Sequence, residues 1–169
     1  MICRVDRDSE YFSQVDMLFT SSFDYKERAL DLAEAHEEGT LSLALVQEDQ
    51  VVAFANYRDY GSYAYIEHIA TQKELRGKGV IAPLFSYFKE GWAYVLCEIN
   101  PHGSERLISF YEREGFSINP YEYIVPAYGG NPNSERYLLM SYPTMLSREQ
   151  FDEMTSTLFK DAYLREIKK

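Results

Sequence analysis

The chain has 169 residues, a formal net charge of −10 and 46% hydrophobic residues. This length and composition predict one domain over residues 1–169 with a buried core, and they exclude a chain of disordered composition. The acidic charge argues against binding to nucleic acid or to an anionic membrane, because both draw on basic surface, and it suits a cationic substrate.

Cysteine usage and the N-terminus indicate the compartment. Cys3 and Cys97 form neither a disulfide framework nor a Cys/His cluster with metal-ligand spacing. We therefore expect reduced thiols and no metal site. The N-terminal residues lack the apolar segment of a signal peptide, and no apolar run is long enough to span a bilayer. These patterns predict a cytoplasmic protein.

The first part of the chain alternates between strand and helix patterns. Strands are predicted at residues 2–5, 41–46, 51–57 and 63–71, and helices at residues 9–19 and 25–38. Ser9 is the expected cap of the first helix, and Gly39 is the expected end of the second. Short polar connections between the last three strands predict an antiparallel meander.

A strand, a helix and a second strand follow in the middle of the chain. The helix is expected to begin near Gly79, because Pro83 is tolerated only near a first turn and costs about 3 kcal/mol deeper inside. It runs to Lys89, Gly91 ends it, and residues 94–99 form the next strand. A crossover helix between two strands predicts a right-handed parallel βαβ step.

The remaining elements complete a mixed α/β order. A helix capped by Ser104 is predicted up to Glu114, followed by strands at residues 121–125 and 137–142. A last helix at residues 148–167 is capped by Ser147. The predicted fold is mixed α/β, with a mostly antiparallel sheet and a central parallel βαβ step flanked by helices.

Two glycines stand where the predicted strand ending at Thr71 turns into a helix. The segment reads RGKGVI, residues 76–81. Glycine lets backbone N–H groups approach a ligand closely, and the start of a helix offers unpaired donors with partial positive charge. With Arg76 and Lys78, this turn predicts a pyrophosphate site; an ordinary surface turn is the alternative. An ATP-binding phosphate loop is disfavoured because the Gly-Lys-Ser/Thr ending is missing.

A second motif lies further along, at the end of a predicted helix. It reads FYEREGF, residues 110–116. Together, in this order and spacing, the two motifs resemble those of the GNAT superfamily of acetyl-CoA-dependent N-acetyltransferases. The resemblance is strong over residues 41–118. One position departs from the family pattern, since Ile81 stands where Gly or Ala is usual and Ala82 follows one residue later.

The resemblance implies acetyl-CoA as the acetyl donor and assigns residues to its binding. The turn would hold the CoA pyrophosphate, and backbone N–H groups of the preceding strand would hold the thioester carbonyl and pantetheine. Tyr111 matches the family tyrosine that protonates the departing thiolate, although an aromatic residue on a buried helix stripe would show the same pattern. The implied cofactor-binding residues are Ile69, Ala70, Thr71, Arg76, Gly77, Lys78, Gly79, Val80, Ile81 and Asn100.

Two carboxylates are candidates for the base that deprotonates the acceptor amine. Glu67 lies on the strand before the turn and Glu98 on the strand after the helix, each among apolar neighbours that favour proton uptake. An ion pair or a structural hydrogen bond is the alternative for each. His68, next to Glu67, is expected to pack on the opposite strand face, and His102 is expected in an exposed loop.

These inferences predict an acetyl-CoA-dependent N-acetyltransferase that modifies a primary amine of a small molecule or a peptide. The alternative is a catalytically inactive CoA-binding or interaction module of the same fold. No nucleic-acid or membrane partner is expected, and the protein is expected to be a monomer or homodimer. Tyrosines near the acceptor side could contact a cationic amine or be ordinary strand aromatics: Tyr57, Tyr60, Tyr63, Tyr65, Tyr121, Tyr123 and Tyr128.

Overall fold

The computed structural model describes residues 1–127 and 133–163. The chain divides into two compact units, Met1–Ala93 and Tyr94–Lys169, and each is described on its own. The single domain expected from the sequence stays a prediction. No helix among the described residues combines the length and apolar character needed to cross a membrane.

The first unit is built on an antiparallel meander. Its strands are β1 (Ile2–Val5), β2 (Leu41–Gln47), β3 (Gln50–Asp59) and β4 (Tyr63–Thr71), each pairing with the next. Glu48 and Asp49 both have positive φ, 48° and 59°, which is the conformation of a tight hairpin whose twist matches its strands. The predicted meander is confirmed, and β1 and β4 have the predicted bounds.

The helices of this unit begin and end differently from the prediction. They are α1 (Phe12–Ser22), α2 (Tyr25–Arg28), α3 (Leu32–Glu37) and α4 (Ala82–Gly91). Ser9 does not cap α1, since its hydroxyl accepts only from the Tyr11 N–H before the helix. The predicted start of the crossover helix near Gly79 is also wrong, because α4 begins at Ala82 with Pro83 in its first turn.

The single helix predicted over residues 25–38 is two helices. Asp24 and Asp31 each accept a hydrogen bond from the backbone N–H three residues on, and the glutamate there bonds back to the aspartate N–H. Each aspartate therefore starts a helix, because a capping box satisfies the first unpaired donors of a helix. The helical conformation is interrupted between them at Ala29, whose φ is 57°.

A buried apolar cluster fixes α1 and α3 on the sheet of the first unit. Val15 and Phe19 of α1 and Leu32 of α3 pack against Ala44 and Phe54 of the strands. The Phe19 and Phe54 rings meet edge to face, with centroids 5.8 Å apart. Burying aromatic and aliphatic side chains in this way is the main stabilising contribution that such a layer makes.

The second unit contains four strands, and the last of them pairs with the other three. The strands are β5 (Tyr94–Ile99), β6 (Ser117–Ile118), β7 (Tyr123–Val125) and β8 (Glu135–Tyr142), and β8 pairs antiparallel with each of the others. β5 has the predicted bounds, whereas β6 was not predicted. Strand β7 begins at Tyr123, two residues later than predicted.

Two helices accompany this sheet. They are α5 (Glu105–Arg113) and α6 (Arg148–Leu158), and the chain continues after α6 as a π-helical segment, Phe159–Tyr163. Ser147 forms a capping box with Gln150, as expected of the cap of α6. The rest of the helix predicted to residue 167 lies outside the described residues. The predicted class, mixed α/β with a mostly antiparallel sheet and flanking helices, is confirmed.

Candidate active site

The glycine turn, residues 76–81, precedes α4 and follows a 3-10 turn at Lys73–Leu75. Gly77 and Gly79 have φ of 75° and 72°, in the left-handed region where a side chain would be strained. A Cβ added at either position would meet no atom within 4 Å, so the surface above the turn is open. The backbone geometry therefore requires glycine, and the space over it can admit a ligand.

The turn presents several unpaired donors. Within the described part of the chain, the N–H groups of Gly77, Gly79, Val80 and Ile81 donate to no other residue. Alternating backbone conformations that aim successive N–H groups outward form an anion-binding concavity, and the start of α4 adds partial positive charge. These residues, with the exposed Arg76 and Lys78 beside them, fit a diphosphate group.

Ile81, which departs from the family pattern, lies outside α4 and so does not put a large side chain in the first turn of the helix. It is the residue before α4, with φ −77° and ψ −13°, and it is half-buried. The first helical residue is Ala82. The helix therefore starts with a small residue, and Ile81 lies just before it.

The end of β4 carries the three residues assigned to the thioester and pantetheine. Gln72 donates its N–H to Val52 of β3, so by strand alternation the backbone groups of Ile69 and Thr71 point away from β3. The Thr71 carbonyl accepts a bond from Arg76 Nε at 3.2 Å, which ties the glycine turn to the strand end. Ala70 instead faces β3, opposite Phe54.

Glu67 is an extra residue on β4 and is held in an ion pair. The pairing register passes from Asn56–His68 to Tyr57–Ile66, which leaves Glu67 as a β-bulge. One carboxylate oxygen accepts from Arg58 Nε at 2.5 Å and the other from the Thr40 hydroxyl at 2.8 Å. Arg58 and Thr40 are both buried, so Glu67 is the counterion of a cation inside the protein.

Glu98 on β5 is surrounded by hydroxyl groups. The Tyr123 hydroxyl donates to one carboxylate oxygen at 2.6 Å, and the Tyr163 hydroxyl donates to the other. Both tyrosines are buried and Glu98 is half-buried. These donors are neutral, in contrast to the guanidinium that pairs with Glu67.

Tyr111 is the buried residue of α5. A side-chain hydrogen bond joins its hydroxyl to Cys97 of β5, and its ring meets Phe116 edge to face at 5.3 Å. Burial, followed by the neighbouring Cys97, raises the pKa of Tyr111 well above that of a free tyrosine. Burial likewise raises the pKa of the Cys97 thiol. Tyr111 therefore stays protonated, and its hydroxyl is hydrogen-bonded to the Cys97 thiol.

The remaining polar candidates have structural contacts. Asn100 accepts from the His102 N–H at 3.0 Å, and His102 is exposed as expected. His68 packs between Phe19 and Phe23, with ring centroids 4.9 and 4.8 Å away, as expected of a packed histidine. Burial lowers the pKa of His68.

The tyrosines expected near the acceptor side are mostly core residues. Tyr57, Tyr63, Tyr65 and Tyr123 are buried, and Tyr60 stacks on Tyr63 with centroids 4.8 Å apart. This burial favours ordinary strand aromatics over an exposed amine pocket. Tyr128 lies outside the described residues.

Sequence reasoning missed the partners of both carboxylates. Arg58 carried a usable signal, since a lone cation inside an apolar strand is expected to need a buried counterion. Tyr163 carried no such sequence signal, because it lies 65 residues from Glu98. Tyr123 was considered only as a possible contact for the acceptor.

The comparisons with known proteins give the same family and fold as the glycine turn, the second motif and the order of elements indicate. The model of the acetyltransferase (GNAT) family matches residues 7–116, a segment that holds both motifs. The chain therefore belongs to the GNAT family of acetyltransferases, and the family predicted from the two motifs is confirmed. No curated protein sequence matches the chain.

Solved structures share the fold. A protein described as an acetyltransferase of the GNAT family from Bacteroides thetaiotaomicron has a TM-score of 0.84 and 21% identity, covering 96% of this chain and 98% of that chain. The ribosomal-protein-S18-alanine N-acetyltransferase from Escherichia coli has a TM-score of 0.60 and 19% identity. The match covers 88% of this chain and 97% of that chain. An aminoglycoside 6′-N-acetyltransferase complexed with coenzyme A has a TM-score of 0.61 and 17% identity. The match covers 83% of this chain and 95% of that chain.

Proposed function

We propose that this protein transfers an acetyl group from acetyl-CoA to a primary amine of a small molecule or a peptide. The observation that carries the proposal is the glycine turn, whose unpaired N–H groups and two cations match a diphosphate. The family supplies the reaction class, and one structural neighbour is an acetyltransferase solved with coenzyme A.

Two segments of the chain are proposed to bind different parts of acetyl-CoA. The glycine turn binds the diphosphate, and the N–H groups of Ile69 and Thr71, which point away from β3, hold the acyl carbonyl and the pantetheine arm. Bound acetyl-CoA supplies an activated acyl group on a thiol leaving group. Fixing it by backbone donors lowers the barrier mainly through orientation and through stabilising charge on the carbonyl oxygen.

Between the two candidate bases, the contacts favour Glu98. A proton on Glu67 would remove the negative charge that pairs with the buried Arg58 guanidinium, which is costly inside a protein. Two partners of Glu98 are neutral hydroxyls, which keep hydrogen-bonding capacity when a carboxyl group is protonated. We therefore assign removal of the amine proton to Glu98 and a structural role to Glu67.

Tyr111 is proposed to donate a hydrogen bond to the departing sulfur. Its raised pKa means that it gives no proton away in the resting protein, so its contribution belongs to the transition state.

The acceptor is proposed to be a primary amine. Two structural neighbours are N-acetyltransferases, one of a ribosomal-protein alanine and one of an aminoglycoside. The net charge of −10 also raises the local concentration of a protonated amine near the protein.

The first test concerns the glycine turn. Gly79→Leu is expected to weaken CoA binding about tenfold or more, because the left-handed conformation at φ 72° costs a side chain roughly 1–2 kcal/mol and the N–H groups move. Gly61→Leu is the matched control, since Gly61 has φ 80° and equally open surroundings in a hairpin turn. Isothermal titration calorimetry with CoA measures both, and equal affinity for Gly79→Leu and the wild type would refute the site.

A second measurement separates an enzyme from an inactive CoA-binding protein. Release of free CoA thiol from acetyl-CoA is followed with a chromogenic disulfide, using spermidine, kanamycin and a lysine peptide as acceptors. Thiol release that depends on one of these amines supports the proposal. CoA binding without release for any acceptor of a broader amine panel would favour the inactive module.

A further inference from the structure

The carboxylate of Glu98 lies between two buried tyrosines from distant parts of the second unit. Tyr123 comes from β7, and Tyr163 comes from the π-helical segment after α6. Each hydroxyl donates to a different carboxylate oxygen. A carboxylate that accepts a hydrogen bond at each oxygen has a fixed orientation.

Ring packing prevents either hydroxyl from turning away. The Tyr123 ring stacks on Phe159 with centroids 5.5 Å apart and meets Phe151 edge to face at 6.1 Å. The Tyr163 ring also meets Phe159, at 5.9 Å. Phe159 thus packs against both rings, so α6 and the segment after it determine where the two hydroxyls lie.

Two other titratable groups interact electrostatically with the same carboxylate. Cys97 precedes it on β5, and Tyr137 of β8 interacts with it electrostatically. Both groups are neutral near pH 7, since burial raises the pKa of the Cys97 thiol and of the Tyr137 hydroxyl. The Tyr137 hydroxyl is hydrogen-bonded to Asn100 and Glu135.

We propose that Tyr123 and Tyr163 are positioning residues that orient Glu98 and hold it in its ionised form, which makes the π-helical segment part of the catalytic apparatus. The inference rests on the proposed function, in which Glu98 takes the amine proton. In that step an N–H bond of the acceptor ammonium breaks and an O–H bond forms on Glu98. Donors to the charged form favour ionisation, so each hydroxyl lowers the pH at which Glu98 binds a proton.

The test measures the protonation of Glu98 directly. The full-length protein is labelled with ¹³C at the glutamate carboxyl groups and titrated by NMR, and the Glu98 signal is identified by its loss in Glu98→Gln. In Tyr123→Phe and in Tyr163→Phe, the midpoint of the Glu98 titration is expected to rise by about one unit, because a hydrogen bond to a charged group is lost. Tyr94→Phe is the matched control, since Tyr94 also lies on β5 and its hydroxyl accepts a bond from Gln150 instead.

The rate of thiol release is followed as a function of pH for the same variants, with one acceptor amine throughout so that its own ionisation cancels. The acid limb of kcat/KM is expected to move upward with the NMR midpoint. Circular dichroism confirms that each variant is folded, and the two tyrosines from separate elements provide independent evidence.

The two possible failures are distinct. An unchanged Glu98 midpoint in both folded tyrosine variants, or an equal rise in Tyr94→Phe, overturns the positioning role. A raised midpoint with an unmoved rate profile supports the positioning of the carboxylate and overturns the assignment of Glu98 as the base.

Discussion

At the scale of single residues, the candidate site is distinguished by what each polar group already contacts. Glu67 pairs with a buried guanidinium, Glu98 with tyrosine hydroxyls and Tyr111 with a thiol. A group that is paired with an opposite charge is poorly suited to change its own charge. From the sequence, Glu67 and Glu98 were equal candidates for the base and Tyr111 was the candidate acid. Their partners support a structural role for Glu67 and the proposed catalytic roles of Glu98 and Tyr111.

Tyr111→Phe tests the role of the tyrosine hydroxyl. The substitution keeps the ring and its edge-to-face contact with Phe116 while removing the donor to sulfur. Turnover is expected to fall roughly 10²–10⁴-fold, with acetyl-CoA affinity nearly unchanged, because the lost interaction acts in the transition state. Steady-state kinetics and calorimetry measure the two quantities, with Tyr94→Phe as the control. Full turnover in Tyr111→Phe would make Tyr111 a core residue only.

At the scale of elements, capping side chains decide where the helices begin. Ser147 accepts from the Gln150 N–H at 3.1 Å and completes a capping box at the start of α6. Ser104 occupies the same position before α5, but its hydroxyl donates to the His102 carbonyl at 3.5 Å and caps no helix donor. The same residue type therefore stabilises one helix start and not the other.

This contrast predicts unequal costs for two similar substitutions. Ser147→Ala is expected to reduce the free energy of unfolding by about 1 kcal/mol, because a helix N–H loses its acceptor. Ser104→Ala is expected to cost less than about 0.5 kcal/mol, as for an ordinary surface change. Urea unfolding followed by circular dichroism measures both. Equal losses for the two variants would contradict the capping assignment.

At the scale of the whole molecule, stability depends on two half-buried histidines whose pKa values are lowered by burial. Burial lowers the pKa of His36, which is hydrogen-bonded to Ser42, and of His68, which packs between phenylalanine rings. In the unfolded chain both titrate near 6.5. Below that pH the unfolded state binds protons that the folded state does not, so stability is full above pH 6.5 and is lost as the pH falls towards the folded pKa values.

The free energy of unfolding is accordingly expected to be lower at pH 5.5 than at pH 7.5. His102, the third histidine of the sequence, is exposed in a loop, so His102→Gln is expected to leave this pH dependence unchanged. His36→Gln together with His68→Gln is expected to flatten it. Urea unfolding at both pH values measures the difference, and an unaltered slope in the double variant would refute the explanation.

Local sequence patterns were sufficient for the elements that carry the first motif. The bounds of β1, β4 and β5 and the glycine turn follow from strand alternation and from the conformational needs of Gly77 and Gly79. The break at Ala29 was missed, although the repeated Asp-x-x-Glu pattern of α2 and α3 was visible. The helical spacing of apolar residues continues past Ala29, so that spacing was given more weight than the capping pattern at Asp31.

The sequence by itself determined the family, the fold class and the position of the glycine turn, because these depend on residues close together in the chain. Only the tertiary structure decided which carboxylate is an ion pair and which is a candidate base. Arg58 reaches Glu67 across a β-bulge, and Tyr163 reaches Glu98 from 65 residues away. Such contacts depend on strand register and on ring packing around Phe159, which no local pattern encodes.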